Sequence, residues 1–405
     1  MSKKFSVRKK FFVSKEVFCT RRSPRWLLLV GLLGLSIGGC GARAPEAPTT
    51  RVTPFVFRSL NLRQQDPQGR TAWAVTSPEA RYDLSRRVAQ AQDLRGTIYA
   101  LGQPRYTVQA SHGTLLNDGQ VIQLEGKAQI RRLGPDPVTI QATRMRWYPR
   151  LQRIELDRNA EAIDGNLRLL ATRARFLIDR DTLELRGKPE LRRLGSGAAD
   201  SPVRVLLQQA DWMPTSGALE AKGAIKVVRT LPSRQIQTLT ASGLRGNTQE
   251  RTLLFQAPVV LDDPSQKAWL RGQAISINLT TNTLHSATPF RAAFQQLRIK
   301  GQSLQVDLNT ATATIGSGCE VDQADGSLRA SRCLWNWQRQ SLAASGGVEL
   351  RRTANRQVTR ASQMEGRLGP SGRLEFRSPG ARVTSRLQLP GPKPGAAAQK
   401  PTIRL

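Results

Sequence analysis

The chain has 405 residues and is strongly basic, with 62 lysines and arginines against 30 acidic residues and a formal net charge of +32. Apolar residues make up 39% of it, which is too many for a fully disordered protein. The length allows two or three ordinary domains or one long repetitive domain. The charge indicates an anionic partner such as nucleic acid, a membrane surface or an acidic glycan.

The N-terminal segment has the pattern of an export signal. Nine lysines and arginines lie within residues 1–25 and precede a short apolar run. That run is about half of the ~20 residues that a membrane-spanning helix needs. The motif Ile37-Gly38-Gly39-Cys40 looks like a bacterial lipobox, in which the cysteine becomes the lipidated N-terminus.

We therefore predict a signal peptide over residues 1–39, lipidation at Cys40 and a tether over residues 40–52. An uncleaved signal anchor is the alternative. In both cases the remainder of the chain lies outside the inner membrane and is membrane-anchored. Nucleic acid is thereby excluded as a partner, and phospholipid headgroups or acidic polysaccharides take its place.

Export also bears on the cysteines, because an oxidising compartment permits disulfides. With Cys19 in the signal and Cys40 lipidated, Cys319 and Cys333 remain. They lie seven residues either side of Gly326, which follows Asp325 in a strong hairpin-turn signal. We predict a disulfide between them. Two free buried thiols are the alternative, if the strand register slips by one residue.

The sequence offers no catalytic or metal-binding motif. H-E-x-x-H, P-loop and C-x-x-C patterns are missing, and His112 and His285 lie far apart. Residues 34–38 match the G-x-S-x-G nucleophile motif, but they lie inside the apolar run, without the strand and helix that the motif requires. We expect no catalytic residues, metal or cofactor. An enzyme on a β array would need clustered carboxylates, whereas these are dispersed.

An internal repeat of about 31 residues predicts the fold. Residues 122–131 alternate apolar or small side chains with polar ones, which is typical of a half-buried strand. The pattern returns at residues 183–192, 219–227 and 342–351, each time with a leading strand before it. Weaker copies start at Ile154, Leu253, Leu284, Ala313 and Leu374.

A repeat of this period is the signature of stacked architectures. We predict an elongated, repetitive, antiparallel all-β fold with an apolar inner face and a basic outer face. Recurrent small residues such as Gly126, Gly187 and Gly223 either allow close sheet packing or keep the interior partly open. Over the whole array, an interior of Leu, Ile, Ala and Gly favours a groove for aliphatic chains.

Two sets of candidate site residues follow from this pattern. Arginine pairs end several repeats and are either solvated strand ends that discourage edge aggregation or a ladder for anionic headgroups. The candidates for headgroup contact are Arg131, Arg132, Arg192 and Arg193. The candidates for the groove share the apolar face of their strands and are Ile122, Leu124, Trp147, Ile154, Leu156, Phe176, Leu183 and Leu185.

The stretch from Phe57 to Leu194 resembles the LptC proteins of lipopolysaccharide export. The resemblance lies in Gly69 before the strand at 72–75, in Pro78-Glu79-Ala80-Arg81-Tyr82, and in the stretches 102–110 and 124–128. The second half continues the repeat and resembles longer cyanobacterial members. The chain departs from typical LptC proteins in its lipobox, which replaces an N-terminal membrane helix, and in being about twice their length.

The resemblance implies a β-jellyroll, or V-shaped β-groove, that shields the acyl chains of lipopolysaccharide on the periplasmic side of the inner membrane. Such a protein takes lipid from the inner-membrane Lpt ABC exporter and passes it to an LptA-like β-jellyroll by edge-strand pairing. The alternative is a structural or polyanion-binding envelope lipoprotein without lipid transfer. We expect two lobes, at 53–194 and 203–389, and a disordered tail at 390–405.

Overall fold

The computed structural model describes residues 55–193, 202–353, 356–367 and 373–388. The predicted signal peptide, Cys40, the tether, most of the lobe junction and the C-terminal tail lie outside these residues. Antiparallel strands contain 72% of the described residues, which confirms the predicted all-β class.

The described residues contain 28 strands and two single 3-10 turns, Pro149–Leu151 and Pro264–Gln266. The strands before residue 200 are β1 (Phe55–Phe57), β2 (Leu60–Gln65), β3 (Thr71–Ser77), β4 (Glu79–Asp83), β5 (Val88–Ala100), β6 (Gln103–Leu116), β7 (Val121–Arg132), β8 (Thr139–Tyr148), β9 (Arg153–Asp164), β10 (Leu167–Leu177), β11 (Thr182–Arg186) and β12 (Glu190–Arg193). The strands after residue 200 are β13 (Val203–Leu206), β14 (Gln209–Trp212), β15 (Ala218–Thr230), β16 (Ile236–Asn247), β17 (Thr252–Asp263), β18 (Ala268–Asn278), β19 (Thr283–Ser286), β20 (Phe290–Phe294), β21 (Leu297–Gly301), β22 (Ser303–Asp307), β23 (Thr312–Gln323), β24 (Gly326–Asn336), β25 (Ser341–Arg352), β26 (Gln357–Arg367), β27 (Leu374–Arg377) and β28 (Thr384–Arg386).

The strands form one antiparallel meander in which each long strand pairs with its neighbours in sequence. At seven positions two short strands take the place of one long strand, namely β1 with β2, β4 with β3, β11 with β12, β14 with β13, β19 with β20, β22 with β21 and β27 with β28. Hydrogen bonding continues across the predicted lobe junction, because β12 pairs with β13 and β11 with β14. The division into two lobes stays a prediction.

Most long strands bend at a bulge near the middle. In β7, Ile122, Leu124, Ala128 and Ile130 all point inward, so the alternation predicted for residues 122–131 holds, except that Gly126 at the bend is exposed. The register with β8 shifts there by one residue, and in β8 the inward side chains are Ile140 and Ala142 before the bend and Met145 and Trp147 after it. The bend creates two sheet halves from one set of strands.

Five of these bends carry two successive left-handed residues, which explains the recurrent glycine of the repeat. Gly126 and Gly187 have φ of +70° and +75°, and a Cβ on either would lie 3.0 Å from the Cβ of Ser111 or Thr172. The close-packing role predicted for these glycines agrees with that distance, and the left-handed backbone is a second reason for glycine. The five pairs are 126–127, 158–159, 187–188, 317–318 and 346–347.

Hydroxyl side chains on the neighbouring strand satisfy carbonyls at the bend. Thr172 Oγ1 donates to the Gly187 carbonyl at 2.8 Å, and Ser331 Oγ donates to the Gly346 carbonyl at 2.8 Å. The Gly187 carbonyl also accepts from the Thr172 amide at 3.3 Å, so the hydroxyl is a second donor at this irregular point of the ladder.

The two sheet halves are called arm A and arm B below. Arm A contains β2, β3, β12, β13, β20, β21 and β28 with the halves of the long strands that pair with them. Arm B contains β1, β4, β11, β14, β19, β22 and β27 with the other halves. The buried faces of the two arms form one hydrophobic core.

The disulfide joins Cys319 on arm A to Cys333 on arm B, with Cα atoms 6.0 Å apart. Its geometry differs from the predicted one, because Cys319 lies opposite Ala330 and Cys333 opposite Ile315. The hairpin turn is Ala324-Asp325 rather than a turn centred on Gly326, and the bulge between the two cysteines turns both side chains into the interior.

We expect adjacent glycines in β25 to respond differently to alanine. Gly346 and Gly347 have φ of +80° and +67°, but an added Cβ would lie 2.7 Å from the Ser331 Cβ only at Gly346. Gly347→Ala should cost about 1–2 kcal/mol of unfolding free energy through backbone strain alone. Gly346→Ala should cost more, because Ser331 must also move. Denaturant unfolding of both variants measures the difference, and equal losses would contradict the crowding.

We expect the disulfide to stabilise the fold by roughly 3 kcal/mol, the chain-entropy value for a loop of about 15 residues. Cys319→Ala with Cys333→Ala should lower the unfolding midpoint accordingly. Mass spectrometry of unreduced, alkylated protein checks the bond itself. Two alkylated cysteines in protein recovered from an oxidising compartment would show that it does not form.

Candidate functional site

The eight predicted groove residues all lie in the interior on arm B, each at most 1% exposed. Their register places them in two adjacent rows that run across the strands. One row contains Ile122, Trp147, Ile154, Phe176 and Leu183 as successive cross-strand partners. The other row contains Leu124, Met145, Leu156, Ala174 and Leu185.

Sequence reasoning missed Met145 and Ala174 in the second row. Both lie two residues before a selected aromatic residue, Trp147 or Phe176, and so share its face of the strand. The strand period would have found them.

The first row continues in register along arm B far beyond the predicted residues. Before Ile122 it contains Phe55, Tyr82, Ala89 and Leu115. After Leu183 it contains Trp212, Leu219, Gly246, Leu253, Ile277, Leu284, Val306, Ala313, Trp335, Leu342, Gly366 and Leu374.

Residues 55–193 are called the first stretch below. Aromatic rings fill its interior and join the two arms. Trp73 on arm A contacts Trp147 on arm B with ring centroids 5.5 Å apart, and Tyr106 contacts Phe176 at 5.2 Å. Both contacts are edge-to-face, the arrangement that aromatic quadrupoles favour. The first stretch therefore has a packed interior.

Polar side chains close the rim of this stretch between the arms. The Tyr106 hydroxyl donates to Asp181, which also accepts from the Thr215 amide at 3.0 Å and pairs with Arg105 at 3.3 Å. Burial and the bond to Asp181 raise the pKa of Tyr106 well above its ordinary range, so the hydroxyl stays protonated. Arg132, itself buried, donates to the Pro214 carbonyl at 2.8 Å.

The interior after residue 203 is more accessible than the first stretch. Its ring contacts involve Phe294 with Trp335 at 4.7 Å and Trp335 with Trp337 at 6.0 Å, and the two tryptophans are partly exposed. Partly exposed apolar residues against the core are concentrated here. They are Val203, Val227, Leu261, Ile277, Leu279, Ala292, Leu297, Val306, Val321, Trp335, Trp337, Leu350, Leu374 and Phe376.

The four arginines predicted to hold headgroups do not converge. Arg131 points outward and is exposed, whereas Arg132 is buried and its guanidinium donates to main-chain carbonyls of Asp136, Pro214 and Thr215. Successive strand residues point to opposite faces, so an arginine pair cannot present two side chains to one ligand. The surroundings of Arg132 do not fit a headgroup contact.

Arg192 is engaged by a carboxylate on its own strand. Glu190 Oε1 lies 2.7 Å from Arg192 Nε and 2.6 Å from Arg204 Nε on β13. The two guanidinium groups lower the pKa of Glu190 to about 2. Arg193 is partly buried at the end of the same strand.

We expect Glu190 to contribute to stability above pH 4.5 and to lose that contribution as the pH falls to about 2. The pKa of its carboxyl is depressed in the folded protein, so folding favours the charged form. Glu190→Gln should lower the unfolding free energy at pH 7 by about 2 kcal/mol and have little effect at pH 2.

Denaturant unfolding of wild type and variant between pH 7 and pH 2 measures this. Glu184→Gln is the matched control, since Glu184 lies 3.6 Å from a single arginine, Arg175. A wild-type-to-variant difference that stays constant across the pH range would contradict the assignment.

Among the described residues, no helix is long and apolar enough to span a bilayer. Within the same residues, no group of three or more His, Cys, Asp or Glu side chains is arranged to hold a metal ion.

Comparison with known proteins agrees with the resemblance seen in the sequence. The family model described as lipopolysaccharide-assembly, LptC-related, matches residues 26–191. A similar solved structure is LptH, the LptA homologous periplasmic component of the lipopolysaccharide transport device of Pseudomonas aeruginosa, with 16% identity, a TM-score of 0.25, and coverage of 28% of this chain and 82% of that one. No curated protein matches the chain. Residues 26–191 are therefore similar to the LptC-related family of lipopolysaccharide assembly, as the sequence resemblance indicated.

Proposed function

We propose that this protein shields lipopolysaccharide acyl chains between its two arms during transport across the periplasm. The observation that carries the proposal is the apolar row of arm B, which continues in register from Phe55 to Leu374. Each acyl CH₂ removed from water is worth ~0.8 kcal/mol, so a lipid with several chains needs continuous apolar cover. One uninterrupted row across the strands meets that requirement.

The accessible interior after residue 203 is the first point of contact with lipid. Partly exposed side chains such as Ile277, Val306, Val321 and Leu350 present apolar surface to water there. An acyl chain would cover that surface without first displacing a packed core. In the first stretch, contact with Ile122 or Leu124 additionally requires the arms to separate at the Trp73–Trp147 and Tyr106–Phe176 contacts.

Transfer would use the ends of the sheet. Within the described residues, β1 and β2 at one end and β27 and β28 at the other each pair along one side only. Unpaired main-chain groups accept a strand from another protein. We propose that lipid arrives from the inner-membrane Lpt ABC exporter and leaves through an LptA-like jellyroll, with the chain anchored on the periplasmic side of the inner membrane through Cys40.

We expect photo-crosslinkers facing the interior to capture lipopolysaccharide and crosslinkers facing outward to fail. Val321 points inward and its neighbour Glu320 points outward on β23, which makes them a matched pair. Leu124 and Glu125 form the second pair. Capture should be strongest at Val321 and weaker at Leu124, because Leu124 is reached only when the arms separate.

Mass spectrometry of the lipid adducts after illumination of the full-length chain with lipopolysaccharide gives the result. Equal labelling at inward and outward positions would overturn the groove. No labelling at any of the four positions would leave a structural or polyanion-binding envelope lipoprotein as the function.

A further inference from the structure

Along one cross-strand row, the outer face of arm B changes abruptly from charged to uncharged side chains. Seven successive members, from Arg146 on β8 to Arg245 on β16, are all charged. Opposite charges face each other in four of the six neighbouring pairs, as in Arg175 with Glu184 at 3.6 Å, and Glu184, Asp211 and Glu220 are three successive acids. The next seven members carry no formal charge. The first six of these are Leu254, Ser276, His285, Gln305, Thr314 and Leu334.

The uncharged region covers whole strand halves, not one row alone. In the arm B segments of β17, β18, β19, β22, β23, β24 and β25, all of them described, the only charged side chains are Asp307 and Arg332. Asp307 accepts from the Asn309 and Thr310 amides at 2.8 and 3.1 Å and so belongs to a turn at the rim. Arg332 lies at the bend. We call the outward side of these seven segments the neutral face.

Charged strands border the neutral face on both sides. Lys222 and Arg245 precede it on β15 and β16, and Glu365 and Glu375 follow it on β26 and β27. An uncharged centre inside a charged rim is the usual composition of a protein interface, where charged residues are depleted from the core. Two exposed leucines, Leu254 and Leu334, lie near opposite ends of the central row, 39% and 45% exposed.

We propose that the neutral face binds the same face of a second copy of this chain. Without the nine lysines and arginines and one acid of the predicted signal peptide, the chain still carries 53 cations against 29 acids, a net charge of +24, so two copies repel each other wherever their cation-rich faces meet. An anionic partner would be drawn to those cation-rich faces and not to the neutral one. Two copies of the chain meet with the least charge repulsion when their neutral faces approach each other, so a second copy is the partner that fits this face.

The dimensions of the face suit a symmetric dimer. Seven strands and about five residues of each cover about 34 Å by about 17 Å. Two copies then bury roughly 1,100 Å², above the roughly 1,000 Å² that a specific interface needs. In a dimer with two-fold symmetry the central rows of the two copies run in opposite directions. Leu254 of one copy therefore approaches Leu334 of the other.

The test is self-crosslinking of the full-length chain, co-expressed with two distinguishable tags and carrying a photo-crosslinker at Thr314. We expect covalent adducts that contain both tags. The matched control carries the crosslinker at Glu184, on the charged part of the same row, and should give no such adduct. Absence of the two-tag adduct at Thr314, capture of a different protein only, or equal adduct at Glu184 would each overturn the proposal.

A second variant separates the dimer from the fold and from lipid binding. Leu254→Arg with Leu334→Arg places like charges at both ends of the interface and should reduce the two-tag adduct at least about tenfold. Both side chains point outward, so lipid capture at Val321 should be unchanged. An undiminished adduct would overturn the proposal, whatever the outcome for lipid.

Discussion

The long strands of this protein bend at a bulge near the middle, and the interior of the protein depends on that bend. A straight twelve-residue strand would bury one face of an open sheet and leave the sheet without a second layer. The bulge folds the sheet over itself, so that arm A covers arm B. The non-glycine residues in left-handed conformation at the bends cost about 1–2 kcal/mol each. Burial of a large apolar side chain such as Phe176 stabilises the folded protein by a similar amount.

The amino-acid pattern predicts each strand half well and the bend poorly. The alternation around Ile122 and Leu124 identifies the inward face, since a period of two is a local property. The change of inward positions between Ala142 and Met145 in β8 escapes the same reasoning, because the extra residue at the bulge lies on the partner strand β7. The predicted disulfide forms with a different geometry: the turn lies close to the predicted place, but the bulge, not direct opposition, brings Cys319 to Cys333.

The fate of Arg132 shows where sequence reasoning fails altogether. Its partners Pro214 and Thr215 lie more than 80 residues away along the chain, on the other arm. Nothing within one repeat distinguishes this buried arginine from the exposed Arg131 beside it. Contacts between arms join distant repeats and carry no local pattern, so the closed rim of the first stretch and the open interior of the second could not be separated from sequence.

The left-handed pair at the bend recurs on alternate strands, at 126–127, 158–159 and 187–188 and again at 317–318 and 346–347. In β11–β12 and in β25, the strand before supplies the hydroxyl for the bend, from Thr172 or Ser331. Two strands, about 31 residues, are therefore the smallest piece that contains a complete bend. A gain or loss of a single strand would set two like bends side by side, without their hydroxyl partners. Gene duplication can change the length of such a sheet only in whole pairs of strands, so the apolar interior grows or shrinks in steps of one strand pair.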